Sequence, residues 1–393
     1  MRKFFAAKTN GILWVLVLFF LYSHVGEAQK STFKINATGT TAELDSAMRY
    51  AVSIWGSLLT SPVPIKINVV YTSFIVNVPT LASTFPNGRK NFNHTPLADT
   101  WYPTALANAL NRSELNPGEY DMDIYVNADK PWYAGKDSHC PADKYDLVSV
   151  FLHEVGHGLG FASLANVKGD AGSFGSLTSA DYFPLRTSFP FPDLEGLPSA
   201  FDRAMQNDSG EKLTDTVLFQ NNSPSLKEQF TSTDVFLSSG QGQLGNGGNM
   251  PKVYAPNSFT LGVSMTHLDE DSYGNMLMTP FFDKGSANHQ PSGLELGILA
   301  DLGWNSEAPL SLTDGLRVVV SLQIKEGAVP LEVQFLSSDK EEASLHIYEL
   351  SGKELATKQM DASETSWKAP SPGIYYYTYT SGLRNERGKF SAK

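Results

Sequence analysis

The sequence predicts an α+β domain, with a mixed sheet and several helices, followed by a small all-β sandwich. Its 393 residues exceed one average domain and suit one large unit plus a small one. Strand and helix patterns alternate through the larger part of the chain, and only short strands separated by turn residues follow. We therefore expect a first domain over residues 29–306 and a second over residues 307–393.

Residues 1–28 are predicted to be an export signal. Arg2, Lys3 and Lys8 give a positive start, Ile12–Tyr22 forms an apolar core, and Gly26-Glu27-Ala28 is a small-x-small cleavage site. The core is shorter than the roughly 20 apolar residues that span a bilayer. We expect a mature chain that is secreted or held at the cell surface, without a transmembrane segment. The net charge is modestly negative and no basic face is visible, so nucleic acid is not an expected partner.

The first elements predict a parallel crossover. "STFKINA" (residues 31–37) alternates apolar and polar residues as a strand does, and "IKINVVYTSF" (residues 65–74) is a second, more apolar strand. Between them, residues 40–59 carry apolar side chains at helical spacing, and Pro62 and Pro64 follow that helix. A strand, a helix and a strand in this order favour a right-handed connection between parallel neighbours.

Two further elements lead to a third helix. Residues 104–110 are predicted to be a short helix and residues 121–128 a strand. "PADKYDLVSVFLHEVGHGLG" then starts at Pro141, a suitable residue for a first helical turn. Its apolar face consists of Leu147, Phe151, Val155 and Leu159. Residues 169–257 are rich in Gly, Ser, Asn and Pro, and we expect them to supply loops that face a substrate.

The third helix contains the motif H-E-x-x-H. His153 and His157 are four residues apart, so their imidazoles project from one helix face and can share a zinc ion. Glu154 is displaced around the helix, where it can take a proton from a zinc-activated water. The motif also arises by chance in amphipathic helices with exposed histidines. Three glycines inside this helix argue against chance, because each costs about 0.8–1.0 kcal/mol relative to Ala; they are Gly156, Gly158 and Gly160.

The residues alone leave the third metal ligand open. Ser163 stands where many H-E-x-x-H enzymes have a third histidine, and a serine hydroxyl is a weak zinc donor. His346 belongs to the predicted sandwich and is set aside. The remaining candidates are His94, His139, His267, His289 and the acids Asp181 and Glu195. The lone Cys140 rules out an intramolecular disulfide and raises the idea of an inhibitory thiolate, although a half-buried thiol is the simpler expectation.

The order of motifs from about residue 145 to residue 304 resembles one family. "HEVGHGLGF", a long insertion, a histidine, "LMTP" and "ILADLGW" follow one another as in the leishmanolysin-type zinc peptidases of the metzincin superfamily. The resemblance implies a metzincin-like catalytic domain, with His267 as the third zinc ligand and Met278 as the methionine turn beneath the metal. The chain departs from the family in lacking paired cysteines and in having a longer insertion.

The resemblance implies a secreted zinc endopeptidase that acts on proteins or peptides, with Glu154 as general base. Tyr273 is a candidate for a second oxyanion donor, and calcium among Asp269, Glu270 and Asp271 is left open. One alternative is an inactive cell-surface binding protein that retains a metallopeptidase shell. Another is a zinc hydrolase that acts on something other than peptides.

The C-terminal region predicts a sandwich from its alternating strands "LRVVVSLQI", "LEVQFLS", "ASLHIYEL" and "GIYYYTYTS". "LHIYELSGKELATKQM", "SPGIYYYTYTSG" and the basic ending "GKFSAK" resemble the C-terminal sorting domain of proteins exported by type IX secretion. "GAVPLEVQF" also resembles a polycystic-kidney-type immunoglobulin-like module. The first resemblance implies the secretion machinery as a partner, and both imply a region that performs no chemistry.

Overall fold

The protein has a mixed α+β fold in the computed structural model. The structure describes residues 30–74, 79–182, 194–274, 276–306, 316–321, 331–337, 343–349, 353–360, 364–371, 373–381 and 384–392. The predicted export signal and the predicted domain boundary after residue 306 lie outside these residues. No helix within the described ranges is both long and apolar enough to cross a membrane.

The helices are α1 (Ala42–Leu58), α2 (Thr104–Asn111), α3 (Leu147–Leu159), α4 (Ser179–Tyr182), α5 (Ala200–Ala204), α6 (Pro224–Phe230), α7 (Gly240–Gly245), α8 (Glu270–Tyr273) and α9 (Gly293–Leu302). The strands before residue 307 are β1 (Phe33–Thr38), β2 (Leu59–Thr60), β3 (Ile65–Thr72), β4 (Ala82–Pro86), β5 (Gly88–Arg89), β6 (Tyr102–Pro103), β7 (Met122–Asn127), β8 (Trp132–Tyr133), β9 (Tyr145–Asp146), β10 (Ala165–Lys168), β11 (Ala171–Phe174), β12 (Met205–Asn207), β13 (Val235–Leu237), β14 (Lys252–Val253) and β15 (Asn305–Ser306). The later strands are β16 (Leu316–Ser321), β17 (Leu331–Ser337), β18 (Ala343–Glu349), β19 (Glu354–Met360), β20 (Glu364–Ala369), β21 (Gly373–Ser381) and β22 (Arg384–Ala392).

The main sheet has the strand order β1-β3-β7-β4. β1, β3 and β7 are parallel, and β4 is an antiparallel edge strand beside β7. The predicted crossover is therefore present, with α1 connecting β1 to β3. Ile65, Ile67 and Val69 alternate along β3 and are buried, as a strand with one face against a helical layer requires.

α1 packs its apolar stripe under α3. Thr41 caps α1 by accepting a hydrogen bond from the backbone N–H of Leu44. Met48, Ala51 and Trp55 are fully buried on the inner face of the helix. The Trp55 indole donates to the carbonyl of Leu152 at 3.0 Å, which ties α1 to the middle of α3.

α3 begins later than the sequence predicts. The helix starts at Leu147, whereas Tyr145–Asp146 form β9, which pairs in parallel with β8. Asp146 is the N-cap, since its Oδ1 accepts the backbone N–H of Ser149 at 2.7 Å. The expected start at Pro141 is wrong because a residue that suits a first turn does not compete with a buried aspartate cap.

The long insertion after α3 is more ordered than its composition predicts. β10 and β11 form a hairpin, and β12, β13 and β14 form a three-stranded sheet. These strands have two to four residues, too short to produce a visible alternation in the sequence. The three-stranded sheet matters for the site, because an isolated bridge joins Val253 of β14 to Leu268. Leu268 directly follows His267, so this bridge helps to position that histidine near α3.

The C-terminal region contains two antiparallel sheets, with orders β16-β17-β20 and β19-β18-β21-β22. Trp367 and Ala369 of β20 share one buried cluster with residues of β18 and β21, so both sheets contribute to one core. Three of these strands, β19, β20 and β22, are additional to the four that the sequence predicts.

Candidate metal centre

The three residues of the H-E-x-x-H motif lie on α3 and are largely shielded from solvent. His153 and Glu154 are each 5% exposed, and His157 is half-buried. The histidine rings lie side by side one turn apart, with 4.6 Å between their centroids. These residues are therefore not the exposed histidines of an ordinary amphipathic helix.

His267 reaches α3 through the end of the insertion. The Tyr254 backbone N–H donates to the carbonyl of His267 at 2.9 Å, and the Leu268 N–H donates to the carbonyl of Met278 at 2.9 Å. The preceding residue, Thr266, donates its hydroxyl to the carbonyl of Phe161 just beyond α3, at 3.0 Å. His267 is thus held from both sides, and it is 4% exposed.

The three imidazoles meet at their Nε2 atoms. His157 Nε2 lies 3.0 Å from His153 Nε2 and 3.2 Å from His267 Nε2, and the remaining pair is 3.2 Å apart. Tetrahedral zinc with Zn–N distances of about 2.0–2.1 Å holds its nitrogens about 3.3 Å apart. Among the described residues, this is the one group of three or more His, Cys, Asp or Glu side chains arranged to hold a metal.

Backbone carbonyls fix the tautomer of each ring. The Nδ1 atoms of His153, His157 and His267 lie 2.7, 2.6 and 2.8 Å from the carbonyl oxygens of Leu277, Phe161 and Val263. A carbonyl only accepts, so each Nδ1 carries hydrogen and each neutral Nε2 carries a lone pair. Three lone pairs that converge repel one another, and a cation at their meeting point relieves that repulsion.

Burial also keeps the three rings neutral. It lowers the pKa of His157 to about 4 and that of His267 to about 3, and it holds the pKa of His153 well below its usual value. Electrostatic repulsion from His157 and His267 lowers the pKa of His153 further. Neutral imidazole is the form that binds a metal, so the site is ready for one near neutral pH.

Glu154 points to a different partner. Its Oε2 accepts a hydrogen bond from the Thr84 hydroxyl of β4 at 2.6 Å. Burial raises the pKa of Glu154 to about 7, and the bond from Thr84 opposes that rise. Glu154 can therefore take up and release a proton near neutral pH, and it is not a member of the histidine group.

Met278 lies directly beneath α3. A Cβ atom at Gly156 would lie 2.5 Å from Met278 Sδ, so a glycine is needed for this close approach. Glu295 Oε1 accepts the Met278 backbone N–H at 2.8 Å, and the neighbouring Leu277 carbonyl accepts from His153. A Cβ at Gly158 would overlap Met122 of the sheet. Close packing accounts for both of these glycines.

The other candidate ligands have different partners. Ser163 donates its hydroxyl to Asp202 at 2.6 Å. Asp181 accepts from Thr178 and Lys168, and Glu195 pairs with Lys90. None of these acids belongs to the histidine group.

The remaining histidines also lie elsewhere. His289 bonds to Asp146 and Ser138, while His94 and His139 are exposed. Neither His94 nor His139 joins the histidine group.

Three further expectations concern Tyr273, the acids beside it, and Cys140. The Tyr273 hydroxyl accepts from Asn246 Nδ2 at 2.9 Å and from the Lys252 N–H at 3.0 Å. Its hydrogen bonds are therefore to residues of the insertion, and they give no support to the expected oxyanion role. Asp269 caps α8 through Ser272, which gives this acid a local role. Cys140 contacts the carbonyl of Lys144 at 3.3 Å and is half-buried, as the simpler expectation has it.

Thr84 and Glu295 are site residues that the sequence reasoning missed. Thr84 lies in a segment without a recognisable strand pattern, and only tertiary structure brings it to Glu154. Glu295 had a visible signal, since Ser292 and Glu295 form the capping box of α9. The same carboxylate then reaches the Met278 backbone, which no capping pattern predicts.

Residues 26–168 match the model of a protein family described as SPBPB7E8-like. The match covers less than half of the chain and runs from before β1 to β10, so it includes His153, Glu154 and His157 but ends before His267. A search of curated proteins finds no match to the chain.

Proposed function

We propose that this chain is an exported zinc-dependent endopeptidase of the leishmanolysin-like metzincin type. The convergence of three Nε2 lone pairs from His153, His157 and His267 carries the proposal. Their mutual spacing suits tetrahedral coordination, and a donor set of three neutral imidazoles is common in catalytic zinc sites. Imidazole also suits copper, iron and nickel, and the buried carboxylate beside the site favours a hydrolytic metal without redox chemistry.

When bound, zinc would polarise the scissile carbonyl and lower the pKa of a coordinated water toward about 7. Glu154 takes a proton from the attacking water and returns it to the nitrogen of the leaving amine. Thr84 holds one carboxylate oxygen, which leaves the other free to exchange the proton. This division of roles explains why the acid is buried beside the imidazoles without being one of their group.

The metzincin assignment rests on Met278 and on the path of the chain. Met278 Sδ packs against Gly156 at the level of the histidine pair, as the resemblance implies for a methionine turn. The order of α3, a long insertion, His267, Met278 and α9 also agrees with that resemblance. These features support a metal centre built as in the leishmanolysin-type peptidases. The insertion, which the resemblance does not cover, would form the substrate cleft.

The proposal includes export and delivery. Residues 1–28 would direct secretion, and residues 307–393 would act as a sorting domain recognised by type IX secretion machinery. The two antiparallel sheets with a shared core support a separate non-catalytic region. The mature enzyme would act on protein or peptide substrates outside the cell or at its surface.

Metal analysis and cleavage of a casein-type substrate by the mature chain test this function together. We expect about one zinc per chain and hydrolysis that a chelator abolishes and added zinc restores. His267→Ala should lose zinc and activity, whereas His139→Ala, at an exposed histidine outside the group, should keep both. Zinc binding without cleavage of any protein would instead favour a binding protein with a metallopeptidase shell, and no zinc at all would refute the proposal.

A further inference from the structure

His289 belongs to a second array of catalytic side-chain types. We propose that Ser138, His289 and Asp146 form a second catalytic site, in which Ser138 is a nucleophile that accepts acyl groups from small carboxylic esters. Ser138 Oγ lies 3.0 Å from His289 Nδ1, and His289 Nε2 lies 2.8 Å from Asp146 Oδ1. A hydroxyl, an imidazole and a carboxylate in this sequence of contacts are the parts of a base-activated nucleophile.

The surrounding hydrogen bonds fix the direction of each proton. The Asn288 N–H donates to Ser149 Oγ at 2.7 Å, so the Ser149 hydroxyl is free to donate its own hydrogen to Asp146 Oδ1, also at 2.7 Å. The Ser149 N–H donates to the same oxygen. Asp146 Oδ1 is therefore an acceptor, and His289 Nε2 must carry the hydrogen that bridges them.

The tautomer of His289 determines the role of Ser138. With hydrogen on Nε2, the neutral ring has its lone pair on Nδ1, and that lone pair faces the Ser138 hydroxyl. Ser138 must then donate, which aligns its O–H bond with the base that would remove the proton. The usual serine hydrolase array joins serine to Nε2 and aspartate to Nδ1, and this one uses the two nitrogens in the opposite order.

The base is held rigidly while the nucleophile is open to solvent. The side chains of His289 and Asp146 are 6% and 1% exposed, and the edge of Tyr50 packs against the imidazole with 6.1 Å between ring centroids. Ser138 is exposed and has a φ of 59°. That conformation is unfavourable for a residue other than glycine, so the surrounding contacts must hold Ser138 in it.

Neighbours on both sides hold Ser138 in this conformation. Asp137 Oδ1 accepts from the Tyr133 hydroxyl at 2.8 Å and from the His139 N–H at 3.1 Å. Cys140 contacts the Lys144 carbonyl on the other side. The turn is therefore anchored before and after the serine, and its hydroxyl is presented to solvent from a fixed backbone.

The reaction is an acyl transfer in two steps. Ser138 Oγ attacks the ester carbonyl, its proton passes to His289 Nδ1, and the alkoxide leaves with that proton as an alcohol. Water then attacks the acyl-serine, loses a proton to His289, and releases the carboxylic acid as the Ser138 hydroxyl is restored. Ser138 is exposed, so we expect it to take a small acyl group such as acetyl.

This site is separate from the histidine metal centre. Asp146 is the N-cap of α3, and His153 lies seven residues after Asp146 on the same helix. Seven residues correspond to about 10 Å along the helix axis. No metal is required for the acyl transfer. The activity is therefore measurable in protein stripped of metal, whatever the outcome for the proposed peptidase.

A fluorophosphonate probe, which releases fluoride when it labels an activated serine, tests the site in chelator-treated mature chain. We expect the probe on the peptide that contains Ser138, and p-nitrophenyl acetate hydrolysis that Ser138→Ala abolishes. His289→Gln should lower the labelling rate about 100-fold or more, the range expected for loss of a general base. Ser57→Ala, at an exposed serine whose hydroxyl donates to a backbone carbonyl, should change nothing.

Comparison within one molecule removes any dependence on how the variants fold. In the unmodified protein, mass spectrometry should find Ser138 labelled at least about 100-fold faster than Ser57. Equal labelling of the two serines, labelling of neither, or an unchanged rate in folded His289→Gln would overturn the proposal. Loss of casein cleavage in Ser138→Ala would also overturn it, because the two sites would then not be separate.

Discussion

Thr84 Oγ1 lies 2.6 Å from Glu154 Oε2 and joins the edge strand of the main sheet to the proposed general base. Hydrogen bonds to charged groups contribute more than neutral ones, about 1.5–3 kcal/mol. The bond fixes the carboxylate orientation in a place where burial alone would favour the protonated form. The edge strand therefore orients the proposed general base in addition to its place in the sheet.

Replacing Thr84 by Val should lower kcat for peptide hydrolysis by about tenfold or more, because the Val side chain keeps the shape of Thr but cannot donate to Glu154. KM should change little, since binding does not depend on this bond. Thr84→Ser retains a hydroxyl and should restore most of kcat. Steady-state kinetics on one fluorogenic peptide checks all three proteins, and equal kcat values for Val and Thr would contradict the assigned role.

Glu154→Gln should retain zinc and lose hydrolysis by a factor of about 10² to 10⁴, the usual contribution of a general base. The amide still fits beside Thr84 but cannot take a proton from water. Metal content and cleavage rate are measured on the same preparation. A variant that cleaves at the unmodified rate would show that another group is the base.

Chelation should lower the melting temperature of the first domain, because zinc bound only to the folded state adds to its stability. The effect should be absent in His267→Ala, whose ligand group is incomplete. Differential scanning calorimetry with and without chelator gives the two shifts. Equal chelator effects in both proteins would place the stabilising metal somewhere else.

Asp121 should make stability depend on pH. Burial raises its pKa to about 7, although its oxygens accept from the Lys66 N–H and Asn108 Nδ2. Between about pH 4 and pH 7 the folded state keeps a proton that the unfolded state has lost, so this contribution to stability falls as pH rises. The fall amounts to at most about 4 kcal/mol.

Urea unfolding from pH 4.5 to pH 8 checks this expectation against Asp121→Asn. The neutral amide has no titration, so the unmodified protein should lose stability relative to the variant as pH rises. The difference between the two curves removes the effects of all other titrating groups. A constant difference would mean that Asp121 is charged across this whole range.

Local patterns predict some parts of this structure and fail for others. The strand–helix–strand start is visible because each element has its own period of apolar residues. The α3 boundary is missed because Asp146 caps the helix through a buried contact, whereas Pro141 is only a local preference. Thr84 meets Glu154 across 70 positions in the chain, and no local pattern encodes that meeting.

The place of His267 shows what a resemblance adds to residue patterns. Spacing alone left several histidines and two acids as candidates, since the insertion separates His267 from α3 by more than a hundred residues. The motif order named one of them, and the structure brings that imidazole to the other two.

The bond between Ser163 and Asp202 has a consequence for engineering this protein. Burial raises the pKa of Asp202 to about 6, and this carboxylate accepts from the Ser163 hydroxyl and the Leu164 N–H. These bonds connect the insertion to the residues that directly follow α3. Surface loops can often be shortened with little loss of stability. A histidine at position 163 would remove the hydroxyl that donates to Asp202, so moving the third ligand there would cost this anchor.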